Sequence, residues 1–333
     1  MAAKNHRDDK AALRCMVCGH GELRSLYEVT DTNQGTVGVW EIVACDECRL
    51  GVLHPFPPPE RVGEFYRDQF YTEGGQRFRG WMEWLRSQFA LLRGQTLNRL
   101  RPEKGWLLDF GSGSGHFAAA QSRQGWNVVA LDPYSKAVNS NAAFELVDDW
   151  VRLNYPDASF EVVTLWYVVE HLSNPRAMIK EFFRVLKPGG LLVLAQQDFD
   201  SLQARVFGPR WLFLDPPRHL WQFSVRNLTA LVEHEGFNVC ELERASLEMG
   251  PFTILQSMLN CVVGNGNYLF KLLKSKNVGG ASKGSLWATT FSLILLPIFG
   301  PLSLLIYFVL LSMKSSDVFT LYCQRRSPNK SPF

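Results

Sequence analysis

The spacing of hydrophobic residues divides the chain into regions with different expected structures. From about Gly80 to Leu100, apolar residues recur at helical spacing, which predicts a helix. From Trp106 to about Ala245, short apolar runs alternate with helical patterns, an order that is typical of a parallel α/β sheet. The chain is then strongly apolar, with glycine and proline interruptions, from about Met249 to Met313. A short β-like run follows from Asp317 to Cys323.

Composition and charge narrow the class of protein. The 333 residues are 46% hydrophobic and 20% charged, which indicates a globular chain with one substantial domain and a small one. The net charge of +3 is too small to indicate nucleic-acid binding, so no nucleic-acid partner is expected. The first fourteen residues are polar and charged and show no apolar signal segment, so we expect the N-terminal region to lie in the cytoplasm.

Four cysteines form two pairs near the start of the chain. Cys15 and Cys18 form one CxxC unit, and Cys45 and Cys48 form the second. Each unit turns two thiolates toward one point, so the two together predict a closed, structural Zn²⁺ site. His20 and His54 are weaker alternative ligands, and the competing interpretation is four unrelated buried thiols.

A glycine-rich turn lies between two expected elements. Trp106–Phe110 reads as a buried strand, and a helix is expected from His116 to near Gly125. The turn between them contains Gly111, Gly113 and Gly115, which permit unusual backbone angles and the close approach of a ligand.

The ligand of this turn is indicated by its spacing and by the next strand. A dinucleotide fingerprint needs glycine where this chain has His116, which disfavours an oxidoreductase. The second strand, Asn127–Leu131, ends at Asp132, and a carboxylate there suits a ribose with two free hydroxyls.

The pattern Asp-x-Gly-x-Gly-x-Gly resembles the first motif of class I S-adenosylmethionine-dependent methyltransferases. The runs FEVVTLWYVVEHLSNP, FFRVLKPGGLLVLAQQ and PPRHLWQFS resemble later landmarks of that family. The cysteine pairs, the run HPFPPPE and the Phe65-Tyr66 and Phe70-Tyr71 pairs resemble a zinc-bearing subgroup, several members of which modify sugars or lipid-linked glycans.

The resemblance implies a set of donor-binding residues. Asp109 and the three glycines would line the methionine and ribose side of S-adenosylmethionine, and Asp132 would hold the ribose hydroxyls. Asp149, or its neighbour Asp148, would lie near the adenine. Leu165 and Trp166 would pass beside the donor at the end of the fourth strand.

Two histidines on loops after strands are candidates for the catalytic base. His171 lies in EHLSNP and His219 lies in PPRHLWQFS. An oxygen acceptor benefits from a base near its hydroxyl, and we expect one of the two to serve. Either could instead be structural, and Glu170 is expected to orient a neighbour. A metal-assisted reaction is not expected, because no second ligand cluster is evident.

The apolar segment has thirty consecutive residues, 284–313, without Asp, Glu, Lys or Arg. Pro297, Gly300 and Pro301 interrupt it, which predicts a helical hairpin of two short arms that enters or lies on a membrane. Basic residues on both sides suit an anionic cytoplasmic leaflet. The alternative is a buried helical pair that caps the acceptor pocket or forms a dimer face.

The predicted fold is α/β: a Rossmann-like methyltransferase sheet with a small N-terminal zinc ribbon and an apolar C-terminal helical hairpin. The predicted domains are a ribbon over 1–60, a linking helical region over 61–104, a methyltransferase domain over 105–248 and 315–326, and a membrane-associating insertion over 249–314. The predicted function is methyl transfer to a small-molecule, lipid-linked or glycan acceptor at a membrane surface. The family resemblance implies that the methylated atom of the acceptor is an oxygen. The alternative is a non-catalytic protein that binds S-adenosylmethionine or its product and keeps the zinc ribbon.

Overall fold

The computed structural model describes residues 14–66, 80–132, 143–145, 153–274 and 285–327. The strands are β1 Leu23–Val29, β2 Trp40–Cys45, β3 Gly51–His54, β4 Trp106–Phe110, β5 Asn127–Leu131, β6 Ala143–Glu145, β7 Phe160–Trp166, β8 Leu186–Gln197, β9 Trp221–Gln222, β10 Phe237–Glu243 and β11 Val318–Arg325. The helices are α1 Pro59–Val62, α2 Gly80–Leu100, α3 His116–Arg123, α4 Pro175–Val185, α5 Leu202–Phe207, α6 Val225–His234, α7 Gly250–Val263, α8 Tyr268–Leu273 and α9 Leu286–Ser312.

Seven strands form one sheet in the order β10-β11-β8-β7-β4-β5-β6. The strands from β6 to β8 are parallel, and β11 is antiparallel to both of its neighbours. The chain runs outward from β4 through β5 to β6 and then returns to β7. The switch point therefore lies between β4 and β7, where sheets of this kind bind ligands at the carboxyl ends of the strands.

The sheet is a middle layer with apolar helices on both faces. On one face, α2 and α3 pack through Ala90, Leu97 and Phe117 against strand residues such as Leu107. On the other face, α4 and α6 pack through side chains that include Phe182, Ile179, Leu228 and Leu231. Because both faces are covered, β4, β7 and β8 are nearly continuous apolar runs, as the sequence pattern requires.

The cysteine-bearing segment forms a second sheet in the order β1-β2-β3-β9. Its last strand, β9, comes from the run PPRHLWQFS and pairs Val52 with Trp221. A buried ion pair joins the same two regions, because the Arg218 guanidinium donates to Asp31 at 2.8 and 3.0 Å and to Asp215 Oδ2 at 3.0 Å. The N-terminal sheet is therefore fixed to the loop that carries His219.

The apolar segment corrects the predicted hairpin. It is one helix, α9, with Pro297 and Pro301 inside it. A turn at these prolines would have left backbone N–H and C=O groups exposed among apolar side chains. Continuing the helix pairs these groups, except for the carbonyls whose partner N–H is missing at the two prolines. The helix packs along α7, with Tyr307 beside Gly250 at one end and Ala288 near Val263 at the other.

Most of α9 is exposed. Within the part of the chain that the structure describes, it is the one helix long and apolar enough to cross a membrane. Its buried face is narrow, and its other face carries an exposed stripe at helical spacing. The stripe consists of Trp287, Phe291, Ile294, Ile298, Leu302, Leu305 and Val309.

Candidate active site

A cavity of about 880 Å³ lies at the carboxyl ends of β4 and β7. Its wall includes the turn after β4, the segment after β7, the loop before β9 and parts of α2, α7 and α8. Pockets for small ligands range from about 300 to 1,000 Å³, so this cavity has the size expected for a large ligand or for two.

The glycine turn forms the floor of the cavity. Gly111, Gly113 and Gly115 have φ values of 76°, 55° and 72°, in the left-handed region that favours glycine. A Cβ atom on Gly111 would lie 2.4 Å from Val168 Cγ2, so a larger residue cannot take this position unchanged. Gly115 also precedes the first residue of α3, as the sequence predicted.

Asp109 lies buried at the end of β4. One carboxylate oxygen, Oδ1, accepts a hydrogen bond from Thr164 Oγ1 at 2.9 Å. The other oxygen, Oδ2, has no hydrogen-bond partner among the described residues. Burial raises the pKa of this carboxyl to about 7, although Thr164 and Arg93 both favour the charged form. The burial of Asp109 therefore lowers the stability of the folded chain. It leaves one carboxylate oxygen available to a ligand that donates hydrogen bonds.

Arg93, on α2, was not identified from the sequence. It is partly buried, its guanidinium carbon lies 5.4 Å from the Trp166 ring centre, and its Nε donates to Glu248 at 2.9 Å. It lines the cavity together with Asp109. Nothing in the sequence near Arg93 indicates this role, because the contacts join α2 to residues more than seventy positions away.

Asp132 follows β5 and borders the same turn. Its Oδ2 accepts a hydrogen bond from the Gly113 backbone N–H at 2.8 Å. The structure therefore brings Asp109, Asp132 and the glycine turn together around one cavity.

The remaining predicted donor residues have different positions. Trp166 lines the cavity and packs at 4.9 Å between ring centres against Phe117 of α3. Leu165 is fully buried in the core and is not among the described side chains that line the cavity, because alternate strand residues point to opposite faces. Asp148 and Asp149 lie outside the described residues.

The two candidate histidines lie side by side in the cavity. The His171 and His219 ring centres are 4.7 Å apart, and Glu170 Oε1 lies 4.0 Å from His219 Nε2. Donor atoms of these three residues lie within 4.8 Å of one another, so the structure forms a second cluster of possible metal ligands that the sequence analysis did not find. Burial raises the pKa of Glu170 to about 8, and Gln197 donates to it at 3.0 Å.

The hydrogen bonds of His171 define its basic atom. Its Nδ1 lies 2.9 Å from the Arg218 carbonyl oxygen and 2.8 Å from the Tyr66 hydroxyl. Because a carbonyl oxygen only accepts, this network assigns the proton to Nδ1 and the lone pair to Nε2. Burial, together with His219, lowers the pKa of His171 to about 3, so the ring is neutral near pH 7. Tyr66 is a further residue of the site, which the sequence analysis named only as part of the subgroup resemblance and not as a site residue.

The four cysteines converge as predicted. Cys15 Sγ lies 3.4 Å from Cys48 Sγ, and Cys18 Sγ lies 3.5 Å from Cys45 Sγ. All four sulfurs lie within 4.8 Å of one another, near the roughly 3.8 Å spacing implied by tetrahedral Zn–S bonds of about 2.3 Å. Neither His20 nor His54 belongs to this group of ligands.

The two cysteine turns share one backbone pattern. In each, the residue after the second cysteine has a positive φ, 75° at Gly19 and 60° at Arg49. In each, the N–H of that residue donates at 2.9 Å to the carbonyl of the first cysteine. The repeated turn explains how each pair presents both sulfurs to the same point.

Comparisons with known proteins agree with this geometry. Residues 77–242 match the sequence model of a family described as a methyltransferase domain. A malonyl-(acyl-carrier protein) O-methyltransferase of Serratia marcescens is 31% identical over 138 residues, which are 39% of this chain and 53% of that protein. An uncharacterized methyltransferase of Mycobacterium sp. (strain KMS) is 33% identical over 106 residues, which are 30% of this chain and 42% of that protein.

The chain thus spans about half the length of these relatives. Among solved structures, the (4+2)-cyclase SpnF is 18% identical, with a TM-score of 0.47 over 72% of this chain and 82% of that one. The family match covers β4, β5, β7 and β8 together with the glycine turn and both candidate histidines. Residues 77–242 of this chain therefore form a methyltransferase domain of the S-adenosylmethionine-dependent class.

Proposed function

We propose that this protein transfers a methyl group from S-adenosylmethionine to an oxygen of an acceptor at a membrane surface. The observation that carries the proposal is the buried Asp109 carboxylate, whose Oδ2 has no partner among the described residues and borders the glycine turn. The donor has an ammonium group that can supply the missing hydrogen bonds and the opposite charge.

The other residues around the turn fit the rest of the donor. Asp132 would hold the ribose hydroxyls, because a carboxylate accepts two hydrogen bonds. Gly111, Gly113 and Gly115 would let the backbone approach the donor, and Trp166 would pack beside it. When bound, S-adenosylmethionine supplies a methyl group on a sulfonium, which is already activated for displacement.

The chain's own contribution to the reaction is positioning and proton removal. One of the two histidines would accept the proton of the acceptor hydroxyl, and in His171 the atom with the free lone pair is Nε2, with Tyr66 and the Arg218 carbonyl fixing the ring. His219, packed edge-on against His171, is the other candidate for this role. With Glu170 protonated below about pH 8, the cluster is close to uncharged near pH 7.

The cysteine cluster is proposed to hold a structural zinc ion. Four sulfur ligands leave no open position for water, so the metal would fold the turns around β1 and β2 and take no part in the chemistry. Cys15, Cys45 and Cys48 pack in the same core cluster as Leu108 of β4, so the stability of this site is coupled to the methyltransferase sheet.

The exposed face of α9 is proposed to lie on a membrane. Its 27 residues would extend about 40 Å at 1.5 Å per residue. The helix is packed along α7, and after it the chain returns within a few residues to β11 in the sheet. A helix held in this way would contact lipid along its length, as an interfacial helix does.

Methyl transfer is tested with tritium-labelled S-adenosylmethionine and a total membrane lipid extract. We expect label to enter the organic phase, and we expect His171→Ala or His219→Ala to lower the rate by about 100-fold or more, because general-base contributions are about 10²–10⁴-fold. His234→Ala, at a histidine with an exposed side chain on α6, serves as the control. Full activity of both cavity variants would refute the proposed base.

The test also separates catalysis from binding alone. A folded protein that binds S-adenosylhomocysteine but labels neither lipid nor glycan acceptors would support the non-catalytic alternative.

Zinc is tested by metal analysis of the purified protein, with one zinc per chain expected. Cys45→Ser should remove the zinc and lower the free energy of unfolding by about 3–5 kcal/mol, because the ion loses one of its four sulfur ligands. Cys261→Ser, at an exposed cysteine of α7, should change neither quantity. Zinc-free protein of unchanged stability would contradict a structural metal.

Membrane contact is tested by flotation with phosphatidylcholine/phosphatidylglycerol vesicles. The double variant Ile294→Lys, Ile298→Lys places two charges on side chains that are 62% and 64% exposed. It should reduce the vesicle-bound fraction by about tenfold or more while the protein stays folded. Val206→Lys, at an exposed residue of α5, is the matched control. Flotation of the double variant equal to that of the parent would count against the proposal.

A further inference from the structure

The cavity differs in chemistry between its buried part and its opening. Asp109, Asp132, Glu170 and His219 line the cavity and are all buried. Two groups of apolar side chains also line the cavity. They are Trp81, Met82, Leu85 and Phe89 of α2, and Pro251, Phe252, Phe270 and Leu273 of α7 and α8.

One side of the opening of the cavity is apolar, and the exposed polar residue Asn174 also lines the cavity. Trp81 and Leu247 line the cavity and are also 59% and 55% exposed, so they stand where it meets the surface. We refer to Trp81, Leu247, Phe252, Phe270 and Leu273 as the apolar mouth. A pocket for a free sugar or nucleotide sugar would be expected to have polar groups at this position, because such a ligand keeps its hydroxyls hydrogen-bonded as it enters.

The apolar mouth is connected by packing to α9. Phe252 lines the cavity and also packs in one hydrophobic cluster with Leu295, Leu296 and Phe299 of α9. Leu269 and Leu272 of α8 belong to the same cluster, beside the cavity-lining Phe270 and Leu273. The helices α7 and α8 therefore form part of the cavity wall and also support α9.

We propose that the acceptor is an amphiphile with a long hydrocarbon chain. Its hydroxyl-bearing head lies beside His171 and His219, and its chain leaves through the apolar mouth toward the lipid on which α9 lies. This inference rests on the proposed function and selects, among lipid-linked and glycan acceptors, those that carry a hydrocarbon chain next to the reacting head.

The experiment measures the affinity of phenol, 4-butylphenol and 4-hexylphenol by calorimetry, with the protein saturated in S-adenosylhomocysteine. A binding titration of S-adenosylhomocysteine is made first on every protein. If the chain occupies the mouth, affinity should rise about two- to fourfold for each added methylene, as expected when a methylene leaves water.

Two tryptophans of α2 provide a matched pair of variants. Trp81 lines the cavity, whereas Trp84 is 64% exposed and is not among the described residues that line it. Trp81→Ser should weaken 4-hexylphenol binding about fivefold or more, and Trp84→Ser should change it less than about twofold.

Each outcome decides the proposal. Rising affinity with chain length that depends on Trp81 and not on Trp84 supports it. If S-adenosylhomocysteine binds but affinity is the same for all three phenols, or if both variants behave alike, the proposal of an amphiphilic acceptor is wrong. The proposed donor site is then unaffected. If S-adenosylhomocysteine does not bind, the donor proposal and this inference both fail.

Discussion

The site depends on the burial of one carboxylate, that of Asp109. An acid at the end of a central strand loses its hydration, and only one of its oxygens is hydrogen-bonded within the described structure. The fold tolerates this cost because Thr164 and the nearby Arg93 partly offset it. The remaining oxygen would stabilise a cationic ligand group, and the glycine turn packs closely against Val168, where a Cβ atom on Gly111 would collide.

The loop before β9 connects the N-terminal segment to the candidate catalytic base His171. Arg218 donates to Asp31 of the N-terminal segment and to Asp215, while its backbone carbonyl accepts from His171. Burial alone would raise the pKa of Asp215, but the Arg218 guanidinium lowers it below its ordinary value. The orientation of the candidate base therefore relies on a buried ion pair between the N-terminal segment and the loop before β9.

The sequence predicted the local elements well and the long-range contacts poorly. The strands Trp106–Phe110 and Asn127–Leu131 are confirmed, because each is a short apolar run that is buried apart from its first residue. The helix Gly80–Leu100 is confirmed as well, although its apolar side chains are not confined to one face. The roles of Arg93 and Tyr66 could not be predicted, since they depend on α2 and the segment after α1 folding over the sheet. The hairpin was wrong because two prolines were treated as a turn, although an apolar helix can continue through them.

The most direct test of the account replaces Asp109 with Asn and measures two quantities at pH 8. The folded pKa of Asp109, about 7, lies above its ordinary value of 3.8, so the free energy of unfolding falls as pH rises from 3.8 through about 7, and the full cost of the charged carboxylate is present at pH 8. Asp109→Asn removes that cost.

The account predicts that the variant unfolds with a free energy at least equal to that of the parent. It also predicts that S-adenosylhomocysteine binds about tenfold or more weakly, because the ammonium loses its charged partner. Asp46→Asn, at an exposed side chain, should change neither quantity. Undiminished binding of S-adenosylhomocysteine to Asp109→Asn would contradict the central claim that this buried carboxylate holds the methyl donor.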